Sequence, residues 1–382
     1  MSRFQKATLS FLIVIALGFA IQAVSLYQTK WQQPLGPALQ ISTVTPFELP
    51  ATWTPDPNAT KTPLASLVLV SVTKKVSTPP TSAQCGAQQS VMNLLLIGSD
   101  SRGDAYDYGL ADLIRIARVD FVNAKVTVLE FPRDLWVKIP DIADNLNGQD
   151  HEKLNQAYLY GNPGFGYTTD AAQGPGLLAR TLALNFGVQI DHYAAVNMRT
   201  FVNIVNAVGG IDVYLPEPVD GRTADDLSSR LVFPAGNIHL MGDRALTLAR
   251  IRIKGGFERG ENQNRVLCAL RDQLSKPATI KDIPDLIKAF EDNVQTDLSP
   301  QQISQLACIG ALTEAGNIRF ANFPESLFNV TREYDPVFKK DISIVKADFK
   351  ILREYVVQFN EGTWPPASGT PENHKEEVPF CP

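Results

Sequence analysis

Two carboxylates and one arginine stand beside three apolar segments in the first half of the sequence. Asp100 follows residues 93–97, Asp112 precedes residues 113–121, and Arg133 follows residues 125–131. Such aliphatic runs predict strands, and adjacent strands would bring the three side chains to one rim of a sheet. Mg²⁺ favours one or two carboxylates plus substrate phosphates, and arginine binds phosphate through two nitrogens. The spacing indicates a metal and phosphate site, although each residue also has a structural interpretation as a turn cap, a solvated strand entry or a surface ion pair.

A second group of hydrogen-bond donors lies far downstream. It consists of Arg250, Arg252, Arg259 and Gln263, around a Gly-Gly pair at residues 255–256. Arg259 and Gln263 are four apart, which places them on one face of a predicted helix, and the glycines allow backbone amides to approach an anion. The group therefore predicts an anion-binding set of donors. The plain alternative is a solvated cationic helix edge.

The remaining elements predict a mixed α/β fold. Residues 122–124 read as a hairpin turn between the second and third strands, and Ser299-Pro300 is a helix start with proline at the first position. A polar, glycine-rich segment at 141–170 carries interleaved aromatics and is predicted to be a long loop able to close over a ligand. Further strands are predicted at 193–197, 211–215 and 318–323, and helices at 176–186, 198–208, 242–250 and 345–359.

Composition places the chain among globular proteins and excludes several functions. With 382 residues, 44% hydrophobic and 20% charged, it can bury a sizeable core. A net charge of -5 gives no field for holding nucleic acid. The four histidines have no metal-ligand spacing, and neither a Gly-x-Ser-x-Gly elbow nor a Walker-type loop occurs.

The four cysteines, Cys85, Cys268, Cys308 and Cys381, are widely spaced and form no zinc motif. An exported protein with this even count can form two disulfides, with three possible pairings. Cys268 and Cys308 sit in helical patterns while the other two flank the domain, so we expect Cys268 with Cys308 and Cys85 with Cys381. The alternative is that all four are small buried apolar residues.

The N-terminus predicts a membrane segment. Arg3 and Lys6 precede an apolar run at 7–26, which is about the 20 residues that a spanning helix needs. By the positive-inside rule the N-terminus lies in the cytoplasm and the rest outside, and the competing interpretation is a cleaved signal sequence. The predicted divisions are a cytoplasmic stub and transmembrane anchor at 1–27, a Pro/Thr/Ser-rich extracytoplasmic linker at 28–84, a catalytic-type domain at 85–361 and a Pro-rich tail at 362–382.

Several motifs in order resemble the LytR-CpsA-Psr family of cell-envelope glycopolymer transferases. They are Gly98-Ser99-Asp100-Ser101-Arg102, Asp112, Phe131-Pro132-Arg133-Asp134, Lys153-Leu154-Asn155-Gln156-Ala157-Tyr158, Ile190-Asp191-His192-Tyr193, Val208-Gly209-Gly210-Ile211-Asp212-Val213, Phe233-Pro234-Ala235-Gly236 and Leu248-Ala249-Arg250-Ile251-Arg252. The resemblance spans about residues 91–273. Spaced motifs in a shared order are a stronger signal than any one of them.

The resemblance implies a three-layer αβα fold and an extracytoplasmic, membrane-anchored enzyme. Its activity would be the transfer of a glycan phosphate from a polyprenyl pyrophosphate carrier to a cell-wall hydroxyl. It further implies Mg²⁺ (or Mn²⁺) on Asp100 and Asp112. The implied pyrophosphate donors are Arg133, Lys153, Arg250, Arg252, Arg259 and Gln263, and Asp100, Arg133 and Arg250 would act in catalysis.

Two positions depart from the family pattern. Leu110 and Asn262 stand where the family usually has arginine. The loss of one hydrogen-bond donor to the phosphate charge that develops in the transition state raises the activation free energy by about a few kcal/mol. Arg102 or Arg115 is a candidate replacement. The alternatives to transfer are a non-catalytic polyprenyl-pyrophosphate glycan binder or envelope scaffold, and a pyrophosphate hydrolase.

Overall fold

The computed structural model describes residues 30–41, 83–101, 106, 108–251, 256–276, 294–335, 337, 339–365 and 381, with the backbone alone at 256–259. The predicted anchor, most of the linker, Arg102 and Arg252 therefore lie outside the described residues. Within the described ranges, no helix combines the length and the apolar character that a membrane crossing requires.

A six-stranded mixed sheet forms the middle layer. Its strands are β1 (Val91–Ser99), β2 (Ala111–Asp120), β3 (Lys125–Glu130), β6 (His192–Asn197), β11 (Gln295–Thr296) and β12 (Ile318–Ala321). Their order is β11-β6-β1-β2-β3-β12. β1, β2 and β3 are joined antiparallel, as the predicted hairpin requires, whereas β6 runs parallel to β1 and β12 parallel to β3. The parallel neighbours need long crossovers, which the helices supply.

Side-chain alternation along the strands assigns helices to both faces of this sheet. Leu95, Ile97, Ile114 and Ile116 belong to one buried cluster, together with α1 (Leu154–Tyr160), α2 (Gln173–Phe186) and α7 (Phe349–Glu361). Leu94, Ala117 and Val119 belong to a second cluster, with α5 (Gly256–Leu274) and α6 (Pro300–Leu312). Neighbouring side chains along a strand point to opposite faces of the sheet, so the two clusters lie on opposite faces and each is covered by helices. The predicted three-layer αβα fold is therefore confirmed.

Smaller units surround the central sheet. α3 (Met198–Ala207) and α4 (Gly242–Arg250) pack with β7 (Ile211–Leu215) and β10 (Gly236–Leu240) in a third cluster that also contacts α5. The remaining two-stranded pairs are β4 (Trp136–Lys138) with β5 (His151–Lys153), β8 (Val219–Asp220) with β9 (Val232–Phe233), and β13 (Phe328–Asp335) with β14 (Lys340–Ala347).

The disulfide pairing differs from the prediction. Cys85 pairs with Cys308 and Cys268 with Cys381, so both expected pairs are wrong. Cys85 lies in a 3-10 turn that packs on α6, where Gln305 Nε2 donates to the carbonyl of Gly86 at 2.9 Å. This contact brings Cys85 to α6, and Cys268 on α5 is left to meet Cys381. A helical pattern in the sequence shows that a cysteine lies on a helix, but it does not show which other segment packs against that side of the helix.

Two further predictions need correction. The expected long loop at 141–170 contains β5 and α1, and its Tyr158 and Tyr160 are buried against the sheet. The helix expected at 345–359 begins only at Phe349, after the N-cap Asp348, because the preceding residues complete β14. The predicted capping at Ser299 is confirmed, with a full capping box and Pro300 at the first turn.

Candidate active site

Asp100 is held where β1 meets the start of β2. Its backbone N–H donates to the carbonyl of Leu110 at 3.0 Å, and its Oδ1 accepts from the N–H of Leu110 at 2.6 Å. Both the backbone N–H and the side chain of Asp100 are thus bound to the main chain of Leu110, so the carboxylate has little freedom to rotate. Leu110 therefore positions Asp100 through its main chain, whatever its side chain.

Asp112 occupies an irregularity in the same strand pair. Gly98 pairs with Leu113 and Ser99 with Ala111, so Asp112 has no partner in the register. A bulge of this kind bends the strand and re-aims the extra side chain, and bulges are common beside active sites. Here the bulge presents the Asp112 carboxylate to Arg133, whose Nη1 forms an ion pair with Asp112 Oδ1.

The Arg133 and Asp112 pair extends into a row of alternating charges. Arg133 Nε lies 3.4 Å from Asp134 Oδ2, and Lys153 Nζ lies 3.1 Å from Asp134 Oδ1. All four side chains are between 21% and 34% exposed. The carbonyl of Arg133 also accepts from the N–H of Asn155 at 3.0 Å, which fixes the start of α1 to this segment. The structure therefore brings Asp112, Arg133 and Lys153 together at one rim, while the shared site of Asp100 with Asp112 and Arg133 stays a prediction.

A buried arginine joins the strand that carries Asp112 to one of the downstream donors, Gln263. Arg115, three residues after Asp112 on β2, has no exposed side-chain surface. Its Nη2 lies 2.6 Å from Glu130 Oε2 and 3.3 Å from Gln263 Oε1. Gln263 Nε2 in turn donates to the carbonyl of Ala249 at 3.4 Å. Gln263 thus joins β2 to the last turn of α4, where Arg250 follows Ala249.

Two nitrogens of Arg115 have no hydrogen-bond partner in the described part of the chain. Nε and Nη1 are both buried and unpaired, as is Nδ2 of the neighbouring Asn262. A buried donor without a partner costs about 1–3 kcal/mol, and more when it is charged. Native proteins rarely retain such groups without a functional reason or a bound molecule that satisfies them. Arg115 Nε and Nη1 are therefore two buried donors that the described residues leave unsatisfied.

The other predicted donors are placed only in part. Arg250 is exposed in the last turn of α4. Arg259 lies on the described backbone of α5, but its side chain is outside the described residues, as is the whole of Arg252. The structure thus brings Gln263 and the end of α4 to β2, while the positions of the Arg252 and Arg259 side chains stay predictions.

The protein groups fit a metal that substrate helps to hold. Among the residues that the structure describes, no three His, Cys, Asp or Glu side chains form a metal cage. Mg²⁺ commonly takes only one or two carboxylates, with water and substrate phosphates supplying the other oxygens. Asp112 is the extra residue of the bulge and Asp100 follows Ser99 on the facing strand, and two carboxylates match that donor set. The Asp112 carboxylate would then contact both the metal and Arg133. Mg²⁺ binding stays a prediction.

Glu152 is a buried carboxylic acid next to Lys153. Burial, then the nearby charge of Asp335, raises the pKa of Glu152 from 4.5 to about 7, against the hydrogen bond from Gln149. Gln149 Nε2 donates to Glu152 Oε1 at 2.7 Å. Glu152 is therefore largely protonated in mildly acidic solution. The sequence does not reveal this burial, because β5 has only three residues and all of them are polar.

Comparison with known proteins identifies the family. The model of the LytR_cpsA_psr family matches residues 64–348, which is most of the chain, and the protein belongs to this family. The resemblance deduced from its motifs is thus confirmed.

Curated relatives and solved structures agree with this assignment. Polyisoprenyl-teichoic acid–peptidoglycan teichoic acid transferase TagV of Bacillus subtilis (strain 168) is 29% identical over 54% of this chain and 49% of its own length. Polyisoprenyl-teichoic acid–peptidoglycan teichoic acid transferase TagU of Bacillus cereus (strain AH820) is 30% identical over 56% of this chain and 62% of its own length. The chain thus spans about half to three fifths of these relatives.

Two crystal structures share the fold. B. subtilis TagV superimposes with a TM-score of 0.54 at 22% identity, over 72% of this chain and 99% of that one. Protein gbs0355 from Streptococcus agalactiae superimposes with a TM-score of 0.56 at 21% identity, over 71% of this chain and 87% of that one.

Proposed function

We propose that this protein transfers a glycan phosphate from a polyprenyl-pyrophosphate carrier to a hydroxyl group of a cell-wall polymer, with Mg²⁺ (or Mn²⁺) as cofactor. The observation that carries the proposal is the rim of Asp112, Arg133, Asp134 and Lys153 in a member of the LytR_cpsA_psr family. The names of the relatives, polyisoprenyl-teichoic acid–peptidoglycan teichoic acid transferases TagV and TagU, support a polyisoprenyl-linked donor and a peptidoglycan acceptor.

The reaction is a displacement at phosphorus. The acceptor oxygen forms a bond to the phosphorus that carries the glycan, and the bond from this phosphorus to the bridging oxygen of the diphosphate breaks. Polyprenyl phosphate leaves with the electron pair of the broken bond. The acceptor proton passes to a base, for which Asp100 is the candidate, because Leu110 holds its carboxylate in one orientation.

Phosphoryl transfer depends mainly on positioning and charge neutralisation, and this is what the site residues supply. Arg133 and Lys153 hold the diphosphate from the strand ends. Arg250 on α4, Arg259 and Gln263 on α5, and Arg252 between these helices in sequence are the proposed donors on the other side. A divalent ion bound by Asp100 and Asp112 would neutralise negative charge on the diphosphate oxygens.

Arg115 is the proposed substitute for an arginine that the family usually has and this chain lacks. Leu110 and Asn262 remove two arginines, but Arg115 brings a buried cation into contact with Gln263. Its buried Nε and Nη1, unpaired among the described residues, can donate to a phosphate oxygen that reaches them. The proposed substitute for the missing arginines, Arg115, thus lies on a strand of the central sheet and not in a loop.

The proposed location is the outer face of the cell membrane. Disulfides persist in oxidising compartments, so the two bridges of this chain support an extracytoplasmic domain. The apolar run at 7–26 would anchor it as a single-pass protein with a cytoplasmic N-terminus.

A transfer assay tests the proposal. The full chain is incubated with polyprenyl-pyrophosphate-linked glycan, soluble peptidoglycan and Mg²⁺, and the products are analysed for a new phosphodiester. We expect a glycan joined to the acceptor, a product that chelator suppresses. No phosphodiester, under conditions where an active family member forms one, contradicts transfer. Release of free glycan phosphate would instead identify a hydrolase, and donor binding that survives Asp100→Ala without turnover would identify a binding protein.

A further inference from the structure

A cleft of about 470 Å³ opens beside the phosphate rim, and the proposed reaction has so far given it no role. It lies between the β4–β5 pair and the β13–β14 pair, and we call it the hairpin cleft. Its lining consists of two aromatic rings, two carboxylates, one amide and one imidazole, from Trp136, Tyr334, Asp150, Glu333, Gln149 and His151. Its volume lies in the range of roughly 300–1,000 Å³ that small-molecule sites occupy.

This combination of side chains suits a sugar. The C–H face of a pyranose ring packs on an aromatic face, and its hydroxyls pair with carboxylates, amides and imidazoles. Tyr334 offers such a face, since 58% of its surface is exposed, and Trp136 is partly buried at the opposite wall. Aromatic rings with one apolar side and one wet edge are typical of recognition surfaces of this kind.

The polar groups of the hairpin cleft are fixed before any ligand arrives. Asp150 lies 3.1 Å from Lys138 Nζ and 2.5 Å from His151 Nδ1. Slight burial would raise the pKa of Asp150, but the hydrogen bonds from Lys138 and His151 outweigh it and lower the pKa below the usual range. Asp150 is therefore an ionised acceptor for sugar hydroxyls at neutral pH.

The charges of the hairpin cleft do not favour the donor diphosphate. Asp150 is paired with Lys138, and Glu333 Oε2 lies 2.6 Å from Lys346 Nζ. With each carboxylate matched by a lysine, the lining offers no excess positive charge to attract a diphosphate. A largely neutral saccharide fits it better.

One residue of the hairpin cleft, Trp136, is the strand partner of Lys153 in the phosphate rim. Trp136 is paired with Lys153 across the β4–β5 ladder, so their side chains stand on the same face, about 5 Å apart at Cβ. Lys153 contacts Asp134, and Asp134 contacts Arg133. A saccharide on Trp136 therefore lies beside the residues proposed to hold the donor phosphate.

We propose that the hairpin cleft binds the glycan chain of the acceptor and delivers its hydroxyl to the donor phosphorus. The inference rests on the proposed function and adds to it the acceptor subsite and the chemical class it takes, which is a chain of pyranose units. Trp136 and Tyr334 provide stacking, and Asp150 and Glu333 accept hydrogen bonds.

Steady-state kinetics with separate variation of donor and acceptor test this subsite. We expect Trp136→Ala and Tyr334→Ala in the full chain to raise the KM for soluble peptidoglycan glycan strands at least tenfold and to leave the donor KM within twofold. Trp136→Phe keeps an aromatic face and should restore most of the acceptor affinity. Tyr214→Ala is the matched control, because Tyr214 is 51% exposed on β7, outside the cleft.

Unchanged acceptor KM in both alanine variants overturns the inference, as does an equal loss of donor and acceptor affinity. Calorimetric titration of the full chain with the same glycan strands separates this result from the fate of the reaction. If the native chain forms no phosphodiester, the proposed function fails. Weaker glycan binding by Trp136→Ala and Tyr334→Ala, with binding by Tyr214→Ala unaltered, would still support the cleft, whereas equal binding by all variants refutes it.

Discussion

Arg115 and Gln263 are 148 positions apart in sequence, and Arg115 Nη2 lies 3.3 Å from Gln263 Oε1 inside the protein. This contact joins the strand that carries Asp112 to the helix that carries the downstream donors. Because Gln263 Oε1 accepts from Arg115, its amide nitrogen is directed to the carbonyl of Ala249 at the end of α4. The arrangement is a physical link between the two halves of the proposed site.

The first prediction concerns Arg115 and its ion-pair partner Glu130. Removing Arg115 alone leaves the partly exposed Glu130 unpaired, which should cost about 2–4 kcal/mol of stability. The double variant Arg115→Met with Glu130→Leu removes both charges, so its free energy of unfolding should stay near the native value. If Arg115 binds phosphate, the affinity of the double variant for prenyl pyrophosphate should still fall about tenfold or more.

Calorimetric titration and urea unfolding of the same samples measure both quantities. Arg118→Met is the matched control, because Arg118 lies on the same strand and donates to the carbonyl of Asn360 instead. Native affinity in a stable double variant would show that the Arg115–Glu130 pair is structural only.

The second prediction concerns Asp112. Asp112→Asn keeps the shape of the side chain but removes the charge that pairs with Arg133 and that would hold Mg²⁺. We expect transfer to fall by about 10²–10³-fold with little loss of stability, since the pair is partly exposed. Asp120→Asn changes the carboxylate at the other end of β2, which only accepts turn hydrogen bonds, and should keep native turnover. Equal transfer rates for Asp112→Asn and Asp120→Asn would show that Asp112 has no role in the reaction.

The third prediction is a pH dependence of stability that arises from Glu152. Its folded pKa of about 7 exceeds the value of 4.5 for an unburied group, so the folded state binds the proton more tightly. The contribution of Glu152 to stability is fully present below pH 4.5 and is lost as the pH rises through about 7. Glu152→Gln should therefore stabilise the protein at pH 8 by on the order of 2 kcal/mol more than at pH 5.

Urea unfolding at the two pH values measures this difference. The exposed Glu354 on α7 provides the control variant, Glu354→Gln, which should show no such difference. A Glu152→Gln effect that is the same at pH 5 and pH 8 would refute the raised pKa.

The fourth prediction concerns Gly109, just before the strand that carries Asp112. A Cβ added to Gly109 would lie 2.3 Å from Ser99 Oγ and 2.6 Å from Ser101 Oγ. Both serines are buried, so Gly109→Ala must displace the ends of β1 and β2 and with them Asp100. We expect a fall of at least tenfold in kcat, beyond any loss of stability, when activity is measured well below the unfolding temperature. Gly316→Ala is the control, since a Cβ there meets nothing within 4 Å. Native kcat in Gly109→Ala would show that this close packing does not position Asp100.

The sequence predicts the elements that carry the first half of the site, since local patterns determine them. The aliphatic runs of β1 to β3, with a short turn between β2 and β3, are specified by neighbours in sequence, and Asp112 with Arg133 follows from that pairing. The capping of α6 at Ser299 is equally local.

Long-range relationships are not visible in such patterns. The contact of Arg115 with Gln263 and both disulfides depend on how α5 and α6 settle on the sheet. The β13–β14 pair was missed because it is largely exposed, so apolar alternation along it is weak. Asp348, which caps α7 through its side chain, was the available signal that the helix starts at Phe349.

In the proposed site, carboxylates at the end of β1 and the start of β2 share one diphosphate with the donors at α4 and α5. The most direct measurement is an experimental structure of the full chain with Mg²⁺ and a prenyl pyrophosphate. We expect the diphosphate between Asp100 and Asp112 on one side and Arg250 and Gln263 on the other, within hydrogen-bond distance of Arg133. A diphosphate bound elsewhere, or Asp100 and Arg250 facing separate surfaces with no shared ligand, would contradict it.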